Sequence, residues 1–427
     1  MTLTLADRDW FRHSGIHAVF GALSREGHEA RIVGGAVRNA LLGLPVVDID
    51  FATTAEPGDI IRLSREAGLK PVPTGVAHGT VTVVVEGVPF EVTTLRRDVE
   101  TDGRRAKVSF TQDWAADAAR RDFTMNALYA EASGRIVDPL GGIPDLEARR
   151  VRFIGSARDR IREDYLRILR FFRFTAAYSE GPPDPDGLDA CIEERAGLAR
   201  LSAERVRAEM LRILVTRRPM LALEPMNDSG ILVRILGGVA RLAHFDRLVR
   251  LEENLALTPV AVRRLGALAA TIEEDAARLT ERLKLSNAES ARLKAIAALA
   301  PELTPDMSSL AAKEALYRIG REAFQDRVLV AWARSGDDPH AKSWRKIYGL
   351  PDRWTPPALP VKGEHLLAKG CKAGPALGKK LRELEAAWIA SDFKLGRDKL
   401  LQRLEGGSEV RQKSSARTKR LGKNSAR

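Results

Sequence analysis

The residue pattern changes once along the chain, near residue 155, and that change limits the folds open to it. Before it, strand-like runs rich in Val, Thr and Phe alternate with short helix-like pieces. After it, Leu/Ala/Arg/Glu segments with helical spacing continue with almost no strand signal. "RIVGG" reads as a short strand entering a glycine turn, and "AVRNALLG" as a helix stopped by Gly43. "VVDIDFAT" reads as a strand, and "GTVTVVVEGVPFEVTTLR" as two strands split at Glu86–Gly87, a hairpin. "EPGDIIRLSREAGL" reads as a helix with Pro57 near its start. The expectation is an α+β head with a small mixed sheet, followed by an all-α remainder.

Charge narrows the partner. Lys and Arg number 69 against 57 Asp and Glu, a formal net charge of +12. The segment beyond Gly406 is strongly basic and lacks a hydrophobic pattern, so it is expected to be disordered until bound. A polyanion such as RNA or DNA suits this balance. No stretch approaches the roughly 20 apolar residues of a membrane span, and the N-terminal "MTLTLADRDWFRHSG" has no apolar core of a signal peptide. Cys191 and Cys371 lie far apart, which fits a reducing cytoplasm, and the seven histidines form no cluster.

Asp48 and Asp50 stand one residue apart in an apolar run. On a strand, residues i and i+2 face the same side, so two carboxylates would stand together and repel. A hard cation resolves that conflict, and Mg²⁺ favours a few carboxylates completed by substrate phosphates. Two such metals can activate a hydroxyl and stabilise leaving pyrophosphate. Gly34 and Gly35 let the backbone approach a phosphate, with Arg38 one turn further on. Glu91 offers a third carboxylate on a later strand. An isolated D-x-D is more often a solvated pair, and Glu91 alone would read as a solvent-facing strand residue.

Together these residues resemble the signature of the class II tRNA nucleotidyltransferases, the CCA-adding enzymes and their poly(A) polymerase relatives in the DNA polymerase β-like superfamily. "GGAVRNALLG…DIDFAT" matches the first motif. "AARRDFTMNALY", "DPLGGIPDL", "REDYLRILRFFRF" and "LSAERVRAEM" then follow in the family's order. "GEHLLAKGCKAGPALGKKLRELEAAW" is similar to its C-terminal tail helices. The family usually reads V-R-D where this chain has Val37-Arg38-Asn39. Asn can substitute if that residue orients Arg38 or caps the turn, but not if it supplies charge to the metal site; the intact aspartate pair favours the former.

The resemblance implies a polymerase β-like head, Mg²⁺ on Asp48 and Asp50, and a triphosphate near Gly34, Gly35, Arg38 and Arg121. It also implies that Asp164 and Arg167 read the incoming base. Cytosine and adenine each present an amino donor beside a ring acceptor, which a carboxylate and a guanidinium match; uracil and guanine present the opposite polarity. A buried polar group left unpaired costs about 1–3 kcal/mol. Asp164, Arg167, Arg170 and Arg173 recur every three residues and read as one side of a helix, with Leu166, Leu169 and Phe172 as an apolar stripe elsewhere. Arg170 and Arg173 would serve phosphates or ribose, or hold the helix in place. The bland alternative is an amphipathic helix with a solvated face.

The expected partners are tRNA, CTP and ATP, and the expected activity is CCA addition to the tRNA 3′ end. Poly(A) synthesis is the nearest rival; those relatives usually carry "G-R-x-F-R-L-x-H-V" where this chain has "TTLRRDVETDGRRAKVSF", and Asp98 to Trp114 ("DVETDGRRAKVSFTQDW") reads as a loop with Arg104, Arg105 and Lys107 as candidate RNA contacts. Partial CC- or A-addition and non-catalytic RNA binding are further rivals. The expected organisation is a catalytic head over 1–150, a neck over 151–235, a body over 236–350, a tail over 351–406 and a basic end over 407–427.

Overall fold

The computed structural model describes residues 3–100 and 107–403. Seven strands form one sheet: β1 (Ala30–Val33), β2 (Asp50–Thr53), β3 (Lys70–Gly75), β4 (Thr80–Val85), β5 (Val88–Thr94), and, after a separate ribbon of β6 (Arg96–Glu100) and β7 (Lys107–Phe110), β8 (Tyr129–Ala130) and β9 (Ile136–Val137). The order is β3-β4-β5-β2-β1-β8-β9. Among the described residues β2 and β5 pair in parallel and the other neighbours in this sheet are antiparallel. The β4–β5 hairpin turns at Glu86 and Gly87, both with positive φ (52° and 85°), as a tight two-residue turn between right-twisted strands requires.

Five helices accompany the sheet: α1 (Ser14–Leu23), α2 (Gly35–Leu41), α3 (Pro57–Glu66), α4 (Trp114–Ala119) and α5 (Ile143–Glu147). Helices α1 and α3 pack on each other and on the sheet. Phe20 of α1, Phe51 of β2 and Phe90 of β5 meet edge to face, with centroids 5.0 and 6.0 Å apart, and all three are buried. The sheet positions of Phe51 and Phe90 therefore hold β2 and β5 in the register that matters for the site.

The helical region begins with α6 (Ala157–Glu163), α7 (Leu166–Tyr178), α8 (Pro185–Glu193) and α9 (Ala203–Leu214). Phe171 and Phe174 of α7 enter an aromatic cluster with Phe123 and Phe153 of the head; Phe153 stacks on Phe171 at 5.4 Å, and Phe123 lies 5.1 Å from Phe174. Such pairs contribute about 0.5–1.5 kcal/mol each beyond area burial, and here they fix α7 against the head. The apolar side of α7 differs from the expected stripe. Leu169 and Phe172 are fully buried, as are Ile168 and Phe171, but Leu166 lines the site cavity instead.

The chain divides into two compact units. The first holds the sheet and helices α1–α9, and extends to Leu242 with two later segments. The second is helical. In it Trp332 and Trp344 stack with centroids 6.1 Å apart, and Leu366, Leu384, Trp388 and Ile389 form a core around helices Gly363–Ala368 and Pro375–Ala390. Lys379, Lys380 and Arg382 are exposed on the last of these helices. Among the described residues no helix is long and apolar enough to cross a membrane. The basic C-terminal segment, Arg104 and Arg105 lie outside the described residues. Within the segment expected as a loop from Asp98 to Trp114, the described residues include paired strand, the β6–β7 ribbon.

Candidate active site

The sheet builds the acidic side of the site. Strand β2 lies between β1 and β5, with Val33 opposite Asp50 on one side and Glu91 beside Asp50 on the other. The parallel register places the Asp50 and Glu91 backbones level, and both side chains are exposed. Asp48 is exposed too, but it precedes the strand rather than lying in it. The reason is local: β1 ends at Val33 and turns away at Gly34, so β2 has no β1 partner before Asp50.

The Asp50 carboxyl is pushed up to about 6, first by loss of hydration among its neighbours and then by Glu91 and Asp48, with Arg121 acting in the opposite sense. Three carboxylates in one field is the donor chemistry of a hard divalent cation. Among the described residues no three or more His, Cys, Asp or Glu side chains converge to enclose a metal by themselves. The set therefore suits an ion held by a few protein oxygens and completed by phosphate and water.

Gly34 stands at the turn from β1 into α2 with φ +71°, a conformation that disfavours a side chain. Arg38, one turn into α2, is 7% exposed. Its guanidinium donates to Asn39 Oδ1 from Nε at 3.1 Å and from Nη2 at 2.9 Å, to Asn126 Oδ1 at 2.5 Å and to the Tyr178 hydroxyl at 2.6 Å. It also lies over the Tyr178 ring at 4.2 Å. Burial lowers its pKa from the usual arginine value, opposed by Tyr178 and Asp122. Four of its five N–H groups thus face protein acceptors, so Arg38 is a brace between head and α7 with little donor capacity left for phosphate.

Asp117 organises the next pair of arginines. Buried at 1% exposure, it accepts from Arg120 Nε at 2.7 Å, Arg121 Nη2 at 3.0 Å and the Tyr129 hydroxyl at 2.9 Å. Asp122 turns the other way. It accepts from Arg170 Nε at 2.7 Å, Asn126 Nδ2 at 2.9 Å and the Phe123 N–H at 2.9 Å. Burial acts to raise both aspartates, but the paired arginines and hydrogen bonds hold each below the usual carboxylate range. The D-P-L-G-G segment is a support. Asp138 accepts from the Gly142 and Ile143 amides at 2.8 and 2.9 Å, and a Cβ on Gly142 would collide with the Thr124 carbonyl.

The helix expected through Asp164 to Arg173 is broken. Asp164 is extended (φ −152°, ψ 106°) between α6 and α7, so it does not share a helical side with the three arginines. Its carboxylate accepts from the Leu166 N–H at 3.1 Å and from Arg205 of α9 at 2.6 Å. Arg167 donates to Glu163, to the Arg160 carbonyl at 2.8 Å and to the Arg120 carbonyl at 3.2 Å. Arg173 pairs with buried Glu209 at 2.5 Å.

A cavity of about 430 Å³ collects these elements. Its lining brings together Gly34, Gly35, Arg38, Asp50, Arg121, Asp164, Arg167 and Arg170 from the sequence-expected set, and adds Arg120, Asp122, Asn126 and Arg205. Asp48 and Glu91 are not in the lining but act on Asp50 from its flank; Arg173 is outside it and locks α7 to α9. Sequence reading missed Asp117, Asn126, Tyr178 and Arg205. Asp117 stands three and four residues before Arg120 and Arg121, a helical pairing the spacing could have shown; Asn126, Tyr178 and Arg205 meet their partners through the tertiary fold.

The chain matches the family description "Poly A polymerase head domain" over residues 30–152 and "Probable RNA and SrmB-binding site of polymerase A" over residues 183–242. It is 34% identical over 391 residues to the mouse (Mus musculus) mitochondrial CCA tRNA nucleotidyltransferase 1, covering 91% of this chain and 89% of that protein. The chain belongs to the CCA tRNA nucleotidyltransferase family. The CCA-adding enzyme of Latilactobacillus sakei is 32% identical over 376 residues, covering 86% of this chain and 91% of the relative. The crystal structure of the Bacillus stearothermophilus CCA-adding enzyme in complex with CTP superposes with TM-score 0.70 at 28% identity, covering 92% of this chain and 97% of that one. The α+β head followed by helices is the architecture expected for the family.

Proposed function

We propose that this nucleotidyltransferase adds C, C and A in turn to the 3′ end of tRNA, using CTP and ATP and releasing pyrophosphate at each step. The observation that carries the reading is the single cavity that holds Asp50 beside the Gly34–Gly35 turn and also holds Asp164 and Arg167. It offers a place for transfer chemistry and a place for base selection within one nucleotide's reach. Poly(A) synthesis is not favoured, since full-length relatives carry the CCA-adding name.

In this reading Asp48 and Asp50 hold divalent metal, Mg²⁺ in the proposal, with Glu91 raising the local negative charge. Bound there, the metal would lower the pKa of the attacking hydroxyl and neutralise phosphate charge. The tRNA 3′-oxygen attacks the α-phosphorus in line, the α–β phosphoanhydride bond breaks, and pyrophosphate leaves. Gly34 and Gly35 bring backbone close to the triphosphate. Arg121, held from behind by Asp117, supplies phosphate contacts, and Arg170 does so from its Asp122 anchor.

Base choice falls to Asp164 and Arg167, an acceptor and a donor that match the shared edge of cytosine and adenine. Both are already anchored in the protein, Asp164 by Arg205 and Arg167 by Glu163, which limits their freedom to reorient toward uracil or guanine. A cytoplasmic location is part of the proposal, supported by the two free, well-separated cysteines. The test is addition to a tRNA lacking its three terminal nucleotides. CTP alone should extend it by two residues and ATP alone by none; long A tracts from ATP alone would overturn the reading.

A further inference from the structure

We infer that Asn39 is a positioning residue that ties the α7 side of the cavity to the segment carrying Asp48, through a donor that a carboxylate at this position lacks. This rests on the nucleotidyl-transfer reading above and concerns a residue at which the chain departs from the family's V-R-D pattern.

The tie is a chain of hydrogen bonds. Arg38 donates to the Tyr178 hydroxyl at the end of α7 and, twice, to Asn39 Oδ1. The other end of the same carboxamide, Nδ2, donates to the Pro45 carbonyl at 3.0 Å. The Leu44 N–H returns to the Asn39 carbonyl at 2.8 Å. Residues 44–49 form no helix or strand, and Asp48 lies within them, three residues past Pro45. Asp50 and Glu91 are fixed by the sheet, whereas Asp48 depends on how this segment is held.

A carboxamide suits the position because it carries an acceptor and a donor on opposite arms, and it uses both. A carboxylate keeps the acceptor for Arg38 but turns the Pro45 contact into two oxygens facing each other. The neutral amide also leaves the Arg38 charge uncancelled by residue 39. Asn39 thus does what the usual Asp would do for Arg38, and additionally anchors the Asp48 segment.

The test compares Asn39→Asp, Asn39→Ala and wild type as full chains. Hydrogen–deuterium exchange is read in the peptide spanning 42–49 without substrates, and steady-state CTP incorporation is read on tRNA lacking its CCA. Asn39→Asp is expected to speed exchange in that peptide by about threefold to tenfold and to lower kcat by a similar factor, the scale of one solvent-exposed hydrogen bond. KM for CTP should stay within about twofold, because Arg38 keeps its partner. Asn39→Ala should show the same exchange and also raise KM. Wild-type exchange and kcat in Asn39→Asp would overturn the inference. So would a change confined to KM, which places residue 39 behind Arg38 alone, or faster exchange spread across the whole chain, which is general destabilisation. If the wild-type chain adds nothing to tRNA while Asn39→Asp still loosens 42–49, the reaction is wrong and the tether stands.

Discussion

Arg170 grips Asp122 with two donors of its guanidinium, Nε at 2.7 Å and Nη2 at 2.5 Å. This pair joins the R-R-D segment of the head to α7, the helix that also carries Arg167. It lies beside the Phe123–Phe174 contact, so charge and aromatic packing fix the same junction. Asp122→Ala removes the acceptor and strands a partly buried guanidinium. The expected loss is about 2–4 kcal/mol of unfolding free energy, read from urea denaturation, with Asp122→Asn losing less because it keeps an acceptor for Arg170. A loss below about 0.5 kcal/mol for Asp122→Ala would place the junction's stability elsewhere.

Acid should weaken this protein partly through Asp117. Against the raising effect of burial, Arg121 and Arg120 hold its carboxyl below the usual value in the folded state. Unfolded, it returns to about 3.9. The unfolded chain therefore binds the proton first as pH falls. The stabilisation is complete above that unfolded value and is lost as pH drops through the depressed folded one. Asp117→Asn should lower the denaturation midpoint at pH 7 and flatten its fall between about pH 5 and 3. An unchanged slope would remove Asp117 from the acid response.

Of the two roles the sequence leaves to Arg173, phosphate or ribose contact and holding the helix in place, its pairing with Glu209 supports the second. The Arg173–Glu209 pair is outside the cavity and packs α7 on α9. Arg173→Ala is expected to cost about 2–4 kcal/mol of stability while leaving the CTP-to-UTP preference as it is. Lost base preference with unchanged stability would return Arg173 to the site.

Much of the site was legible because its chemistry is written in short, local patterns. The glycine turn, Asp50 and the Glu91 strand follow from residue alternation, and the Glu86–Gly87 hairpin from its turn residues. The break at Asp164 was not legible, because Arg160 to Arg173 has unbroken helical spacing while the Asp164 side chain competes for the Leu166 amide. Nor was the anchoring of Arg38, whose partner Tyr178 is 140 residues away. The spacing of Asp117 from Arg120 and Arg121 is local, but its burial and its bond from the Tyr129 hydroxyl come from the fold.

Arg167 is the sharpest test of base selection. It reaches the Glu163 side chain and the Arg160 and Arg120 carbonyls, so it is held by both the helical region and the head. Arg167→Ala should lower discrimination for CTP over UTP by about tenfold or more, the scale of one charged hydrogen bond, and change tRNA affinity by less than about threefold. Competition kinetics with both nucleotides present reads the ratio directly. Unchanged selectivity would end the role of Arg167 in reading the base.

In the proposed function, one cavity selects C and A and joins them to tRNA in a fixed order. It is tested most directly by giving the protein a tRNA without its three terminal nucleotides, a divalent metal and all four nucleoside triphosphates at equal concentration, then sequencing the product ends. The expected ends are CCA, with a stop after A. Products ending in runs of A, or in U or G at the three added positions, would contradict it.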